Sequence, residues 1–319
     1  MKNTYLPEGS LLNTPENQEY ISSIAGLERA FVEGKILEST VTFCDSAFRL
    51  HIELNGILGI MDKEETLFCR NGEYPKDIAI ITRVGKPIAF KVIGFRRENG
   101  VIVAVLSRRK AQEECHSEFL SSLASGDIIP AKVTHLENFG AFVDVGCGLS
   151  SLLTVDSISV SRISHPRDRL CVGEEIFVVV KSKDTENGRI YVSMKELLGT
   201  WEENAREFEV GQTVLGIVRS IEDYGVFIEL TPNLAGLAEM RVDTRDPEIA
   251  KIGAYTAVYI KSILPDRMKI KLVLIDSYRK NTPQNKHRYF IDCEKTKHLS
   301  HWVYSPASAN KLVETVLDD

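Results

Sequence analysis

The chain reads as an all-β protein of three five-stranded barrels in tandem, joined by short helical linkers, with an N-terminal helical arm and a small α/β C-terminal appendage. Three observations predict this. The sequence repeats on itself in register, and each repeat holds five short runs rich in Val, Ile and Phe, punctuated by glycines and turn residues. In addition, 319 residues exceed what one small core organises.

In chain order, residues 1–33 form the arm. Met1-Lys2-Asn3-Thr4-Tyr5-Leu6-Pro7-Glu8-Gly9 has a proline and an acid where a signal peptide needs an apolar stretch, and no later apolar run approaches membrane-spanning length. A soluble, cytoplasmic protein with no membrane partner is expected. Thr14-Pro15 supplies an N-cap and a first-turn proline, and Ile21, Ile24, Leu27 and Phe31 follow at helical spacing, so the arm is expected to pack on barrel 1.

Two matches define the repeats. At a shift of 85, Asn138-Phe139-Gly140-Ala141-Phe142-Val143-Asp144-Val145 falls on Asp223-Tyr224-Gly225-Val226-Phe227-Ile228-Glu229-Leu230. At a shift of 88, Val84-Gly85 falls on Val172-Gly173 and Glu98-Asn99-Gly100 on Glu186-Asn187-Gly188. The barrels then occupy 34–107, with an insertion at 62–84, then 126–196 and 210–276. Helical linkers fill 108–125 and 197–209, the second opened by the capping box Thr200-Trp201-Glu202-Glu203, and the appendage is 277–319. In barrel 2 the strands are expected near 128–137, 139–145, 149–153, 175–183 and 189–194. Five strands in so short a span, with a longer third-to-fourth connection, is the OB-fold proportion.

Parity assigns faces, because side chains alternate along a strand. Ala141, Val143 and Val145 point in, leaving Phe142 outside with Asp144; Val226, Ile228 and Leu230 point in, leaving Phe227 outside with Glu229. Phe139 and Tyr224 precede glycines, which permit a bulge that returns a second ring to the same surface. In the fifth strands Ile190, Val192 and Met194 point in while Arg189, Tyr191 and Ser193 point out; Ile270, Leu272 and Leu274 point in while Lys269 and Lys271 point out. Exposed rings facing a basic strand make a platform for stacked bases with phosphate counter-charges. The net charge of −6 and pI near 5.8 argue against broad electrostatic binding of nucleic acid, so any such site must be local and lean on stacking.

The run Phe139-Gly140-Ala141-Phe142-Val143, closing with Gly188-Arg189-Ile190 and Ser193-Met194-Lys195, resembles the S-one domain, named for the largest protein of the bacterial small ribosomal subunit. Arg162-Ile163-Ser164-His165-Pro166 resembles the third-to-fourth-strand connection of its repeats. Through the three units and into the tail, the chain is similar to the short S-one-like proteins of Gram-positive bacteria. The resemblance implies an RNA face of two strand-two aromatics, a histidine after strand three, and an Asp and a basic residue flanking the last turn. Barrel 2 supplies Phe139, Phe142, Asp184 and Arg189, with Thr154 at the histidine position and Tyr191 on the same face. Barrel 3 supplies Tyr224, Phe227, Lys269 and Lys271, with Glu239 at the histidine position and Pro265 near that of the Asp. The partners implied are single-stranded RNA or mRNA and the small ribosomal subunit. The sequence leaves the oligomeric state open, a monomer being the simpler reading.

Barrel 1 departs from this pattern. A shift of 92 puts Ala47 and Leu50 at the aromatic positions and Val101 at the basic one. Its last strand, Val101-Ile102-Val103-Ala104-Val105-Leu106, is apolar on both faces, which predicts burial on both sides with Asp77-Ile78-Ala79-Ile80-Ile81 as cover. Barrel 1 is therefore expected to be a structural or docking module.

Other features read blandly. Six cysteines without a C-x-x-C pair are expected to be buried thiols. Cys293, His298 and His301 have a spacing a metal can use, but His287 is only a guessed fourth ligand and scattered surface residues fit better. Arg162, Arg167 and Arg169 suit a solvated, salt-bridged loop as well as an RNA rim. In the tail, Arg288-Tyr289-Phe290-Ile291 and His301-Trp302-Val303-Tyr304 read as strands before a helix started by Ser305-Pro306, with Leu312, Val313, Val316 and Leu317 on one side. The tail is expected mainly to pack against barrel 3. No G-x-S-x-G elbow, P-loop, G-x-G-x-x-G turn or H-E-x-x-H helix occurs, so no enzyme and no cofactor are expected. The alternative to an RNA-binding protein acting in translation is a protein-interaction scaffold whose barrels have lost RNA, for which Thr154 and Glu239 speak.

Overall fold

The computed structural model describes residues 5–69, 75–98, 100–184, 188–239, 251–278 and 287–317. The chain divides into two compact units. One comprises Met1–Leu123 with Pro130–Lys132 and Asp144–Ser150; the other comprises Ala124–Ile129, Val133–Val143 and Ser151–Asp319.

In the first unit the arm forms α1 (Pro15–Ile21) and α2 (Ile24–Glu33). The Thr14 hydroxyl accepts the Asn17 N–H to cap α1, and Ser23 accepts the Gly26 N–H to cap α2, which divides the single helical pattern into two helices. Strands β1 (Ile36–Cys44), β2 (Leu50–Leu54), β3 (Ile57–Met61), β4 (Pro87–Glu98) and β5 (Val101–Ser107) close a barrel in the order β1-β2-β3-β5-β4, with β3 and β5 parallel. Asn55-Gly56 joins β2 to β3 with both residues at positive φ, as a two-residue hairpin turn requires. Tyr20, Ile21, Leu27 and Ala30 of the arm share one core with Leu37, Val41, Leu50, Ile52, Phe90 and Leu106 of the barrel. Each such large apolar side chain contributes about 1.5–3 kcal/mol by burial. The arm therefore belongs to barrel 1, although Ile24 and Phe31 stay at the surface.

Two expectations for barrel 1 are corrected. Val101 and Ile102 are exposed, so β5 is not covered on both sides at its start. Of the insertion, α3 (Asp77–Ile81) buries only Ile80, which joins the barrel core instead of shielding β5. The second correction is one of register. Phe43 pairs with His51 across β1 and β2, as Ser220 pairs with Phe227 in barrel 3. His51, not Leu50, therefore stands at the position of Phe142 and Phe227, and Leu50 is fully buried in the core. Measured between these paired residues the hairpin of barrel 1 is one residue longer than that of barrel 3, and a slip of one residue exchanges the two faces of a strand. After β5 the chain turns into α4 (Arg108–Glu114) and a π turn, Cys115–Leu120.

Barrel 2 is built from β6 (Ile128–Glu137), β7 (Gly140–Asp144), β8 (Ser150–Thr154), β9 (Glu175–Asp184) and β10 (Arg189–Ser193), closed in the order β10-β8-β7-β6-β9. These bounds lie within a residue of the expected ones. A short helix, α5 (Val155–Ile158), follows β8. The linker helix α6 (Trp201–Ala205) carries both bonds of the Thr200–Glu203 capping box. In the second unit, barrel 3 comprises β11 (Thr213–Glu222), β12 (Gly225–Thr231), β13 (Leu234–Glu239), β14 (Tyr255–Leu264) and β15 (Lys269–Tyr278), closed as β11-β12-β13-β15-β14. Its core of Val218, Val226, Ile228, Val258, Ile260, Ile270 and Leu272 is extended by Trp201 and by Trp302 and Tyr304 of the tail.

The tail differs from expectation. Among the described residues it has no helix: β16 (His301–Val303) and β17 (Glu314–Val316) form a hairpin, and 288–291 is not a strand. The Ser305 hydroxyl accepts the Val313 N–H and donates to the Lys311 carbonyl, so Ser305 closes a loop where a helix was expected to start. Tyr289, Ile291, Cys293, Leu299 and Leu317 pack with Ile128, Val179 and Leu197, so the tail covers barrel 2 as well as barrel 3. Cysteines 115, 147 and 293 are buried thiols, but Cys171 is exposed. Cys293 is buried, His298 pairs with Asp127 and His301 with Glu314, so these three do not converge.

Candidate nucleic-acid interface

The ring pairs sit at matching places on two barrels. Phe139, just ahead of β7, is 54% exposed and Tyr224, just ahead of β12, is 63% exposed. Phe142 and Phe227 are half-buried beside them. Phe139 and Phe142 meet edge to face with centroids 6.0 Å apart at 89°; Tyr224 and Phe227 do so at 6.2 Å and 88°. One ring of each pair thus leaves a face to solvent while its partner fixes its orientation.

The glycines between the rings act by close approach rather than by a bulge. A Cβ on Gly140 would lie 2.5 Å from the Leu153 carbonyl oxygen, and one on Gly225 would lie 2.6 Å from that of Ala238. Only a bare backbone lets the neighbouring strand come in there. The bulge lies in the preceding strand instead: the β11–β12 register shifts between Val218 and Ser220, and the β1–β2 register between Val41 and Phe43. In barrel 2, Val133 is buried while His135, two residues on, has a side chain 63% exposed and stacks on Phe142 with centroids 6.4 Å apart. His135 was missed because strict alternation puts it with Val133 inside the barrel. In the matching strands of barrels 1 and 3 the register shift breaks that alternation at the corresponding place.

The basic strand runs alongside. Phe227 pairs with Leu237 on β13, and Leu237 with Lys271 on β15, so ring and ammonium stand two strands apart on one outer face, roughly 10 Å in the pairing direction. Lys269 and Lys271 are both exposed. In barrel 2 Tyr191 is half-buried and pairs with Leu152, while the exposed Arg189 pairs with Asp184 across the last turn. The Thr154 hydroxyl donates to Ser157 Oγ at 2.9 Å and also faces Asp156. That hydroxyl first, then Lys181 and Lys195, holds the Asp156 carboxyl below its ordinary range. Lys181 and Asp156 are thus polar groups near this surface that the sequence pattern gave no reason to select.

Three residues placed on the open face are not there. Ser193 is fully buried and bonds to the Ser157 carbonyl and to Glu196. Asp144 is 3% exposed and accepts the N–H groups of Glu8, Gly146 and Gly148. Glu229, also 3% exposed, is held by Arg169 and Arg219. Burial opposes its ionisation, but the two guanidiniums outweigh that and keep its carboxyl below the usual range. The outer side of a barrel strand is covered at these points by other segments, so pointing outward and meeting solvent are different things. Arg169 is consequently neither a solvated loop residue nor an RNA rim.

The family model for the S1 RNA binding domain matches residues 122–195. Small ribosomal subunit protein bS1 of Leuconostoc lactis is 32% identical over 196 residues, covering 59% of this chain and 45% of that protein. The bS1 of Streptococcus pneumoniae is 29% identical over 236 residues, covering 70% of this chain and 56% of that one. The chain thus spans about half the length of these curated relatives. A solved multidomain protein with nucleic acid binding domains from Streptococcus pneumoniae aligns over 76% of this chain and 73% of its own at 13% identity, with a TM-score of 0.24, from which nothing follows. Barrel 2 lies within the segment that matches the S1 RNA binding domain, closed five-stranded barrels stand before and after it, and the chain is similar to bS1 over about half of that protein's length.

Proposed function

We propose that the chain binds single-stranded RNA, mRNA foremost, by stacking unpaired bases on barrels 2 and 3, and that it acts in translation in the cytoplasm alongside the small ribosomal subunit. The observation that carries this is the repetition of one ring geometry, an exposed aromatic set edge-on to a half-buried one, at matching strand positions of two barrels. The RNA-binding description of the matched domain and the ribosomal name of the relatives support it. The residues used are Phe139, Phe142, Thr154, Asp184, Arg189 and Tyr191 on barrel 2, and Tyr224, Phe227, Lys269 and Lys271 on barrel 3. Two stacked bases at ~1–3 kcal/mol each give a weak complex per barrel. Joining two barrels in one chain makes the second contact intramolecular and raises avidity.

Fluorescence anisotropy of a short oligouridylate with the full chain tests the reading. Saturable binding at low salt is expected. Its absence would favour a scaffold built on barrels that have lost RNA, which the replacement of the expected histidine by Thr154 supports. Metal-dependent shortening of the probe would instead reveal a nuclease.

A further inference from the structure

We infer that barrel 1 carries a third base-stacking site, formed by Phe43 and His51, although its sequence lacks the aromatic pattern of the other two barrels. The ring planes of Phe43 and His51 lie 10° apart with centroids at 4.2 Å, a flat stack. His51 is nearly buried, with its side chain 11% exposed, whereas Phe43 is 48% exposed. Phe43 therefore has one face backed by the imidazole and the other open to solvent. A base on the open face would complete a three-layer stack.

The backing ring is fixed. His51 Nε2 lies 3.1 Å from Asp45 Oδ2. Asp45 in turn takes Arg49 Nε at 2.8 Å and the N–H groups of Ala47 and Arg49. Burial works against the charge on Asp45, but these hydrogen bonds, that from His51 foremost, hold its carboxyl well below the usual range. A ring held by an ionised carboxylate at its edge loses little freedom when a base arrives, which favours binding.

The cation has moved as well. Where Arg189 and Lys269 open the last strands of the other barrels, barrel 1 has Val101, which pairs with Glu98 as Arg189 pairs with Asp184. In its place Arg49 reaches within 3.9 Å of Glu98, and Arg96 within 2.9 Å of the same carboxylate. Arg49, in the loop ahead of β2, thus joins the Asp45 carboxylate that holds His51 to Glu98, while Arg96 on β4 is shared between Glu98 and Asp62, 3.1 Å away; Arg49 is the cation next to the ring stack that a phosphate would meet. Phe48, between Phe43 and His51 in sequence, gives its ring to the barrel core and to the Lys63 ammonium, 4.7 Å from its centroid, and is not part of the site.

This site rests on the same chemistry as barrels 2 and 3 but not on their residues, so the two readings can fail separately. The test is photocrosslinking of the full chain to oligouridylate carrying 5-iodouridine, with adducts mapped by mass spectrometry, for the wild type, Phe43→Ala and Phe43→Trp. An adduct on the peptide containing Phe43 is expected, lost in Phe43→Ala and kept in Phe43→Trp. In a chain whose barrels 2 and 3 carry Phe142→Ala and Phe227→Ala, adding Phe43→Ala should weaken the residual binding by at least about fivefold. Adducts on barrels 2 and 3 with none on 41–51 would overturn this inference and leave the proposed function standing. Adducts on 41–51 alone would do the reverse. An adduct that Phe43→Ala leaves in place would overturn the stacking role.

Discussion

The guanidinium of Arg169 grips the carboxylate of Glu229 through two hydrogen bonds, 2.6 and 2.8 Å long, with the two side chains only 7% and 3% exposed. Arg219 takes the same carboxylate from its other side at 2.7 Å, and Ser159 Oγ accepts from Arg169. Removing Arg169 leaves the buried Glu229 carboxylate with Arg219 as its one guanidinium partner among the described residues. Arg169→Met should therefore lower stability by about 3 kcal/mol, read as a fall in the denaturant midpoint. Because Glu229 is held below its ordinary carboxylate range, its contribution is present above the unfolded value and is lost as pH falls through the folded one. The variant's deficit should accordingly shrink in acid, and a deficit that grew there would contradict the assignment.

Gly140→Ala and Gly225→Ala should each cost about 1–3 kcal/mol, because a methyl group has to displace a strand carbonyl oxygen at 2.5 or 2.6 Å. Thermal unfolding of the full chain measures this. A neutral result at either site would mean that the strand yields freely and that the glycine serves the ring next to it in some other way.

Much of the fold is legible where one local rule decides. Alternation assigns Ala141 and Val143, and Ile190, Val192 and Met194, to the interior, and all are buried. Thr200 and Glu203 announce a helix start through their own side chains. The misses arise where a non-local event intervenes. One extra residue in β1 turns Phe43 outward against its parity, and a hairpin longer by one moves the next ring position from Leu50 to His51. The N–H that satisfies Asp144 comes from 136 residues away and the arginine that satisfies Glu229 from 60, distances no window of sequence spans. Likewise Ser305-Pro306 has a helix-start composition, but the pairing of His301–Val303 with Glu314–Val316 claims the backbone around it.

The first unit should be less stable at about pH 8 than at about pH 5. Glu38 is pushed up to about 7 by burial first, with the charge of Glu8 adding to it against the N–H bonds of Leu11 and Gly9. Asp144 is pushed up to about 7 by burial, then by Glu8. Arg108, 1% exposed, neutralises Glu8 through two bonds of 2.6 and 3.0 Å, and Arg83 adds a more distant charge at 3.7 Å. Three carboxylates thus face two arginines. With folded values above those of the unfolded chain, the folded state holds protons that the unfolded state has released. Stability is full below the unfolded value and falls as pH rises toward about 7. Hydrogen exchange of residues 5–33 should quicken over that interval, and Glu38→Gln should remove its share of the dependence. Exchange that slows with rising pH, once the intrinsic rate is divided out, would refute it.

RNA binding should depend on rings more than on charge. Phe142→Ala with Phe227→Ala removes the ring that orients Phe139 and the one that orients Tyr224, while both barrels keep their buried cores. With a stack lost on each barrel, affinity for oligouridylate should fall at least about thirtyfold. Arg189, Lys269 and Lys271 are the three cations of the proposed face, so the logarithm of affinity should fall with the logarithm of salt at a slope of about −2. Anisotropy titrations across a range of salt measure both. A slope three times steeper, joined to an unchanged affinity in the double variant, would assign binding to a broad basic surface. In a chain of net charge −6 such a surface would have to gather its cations away from the rings.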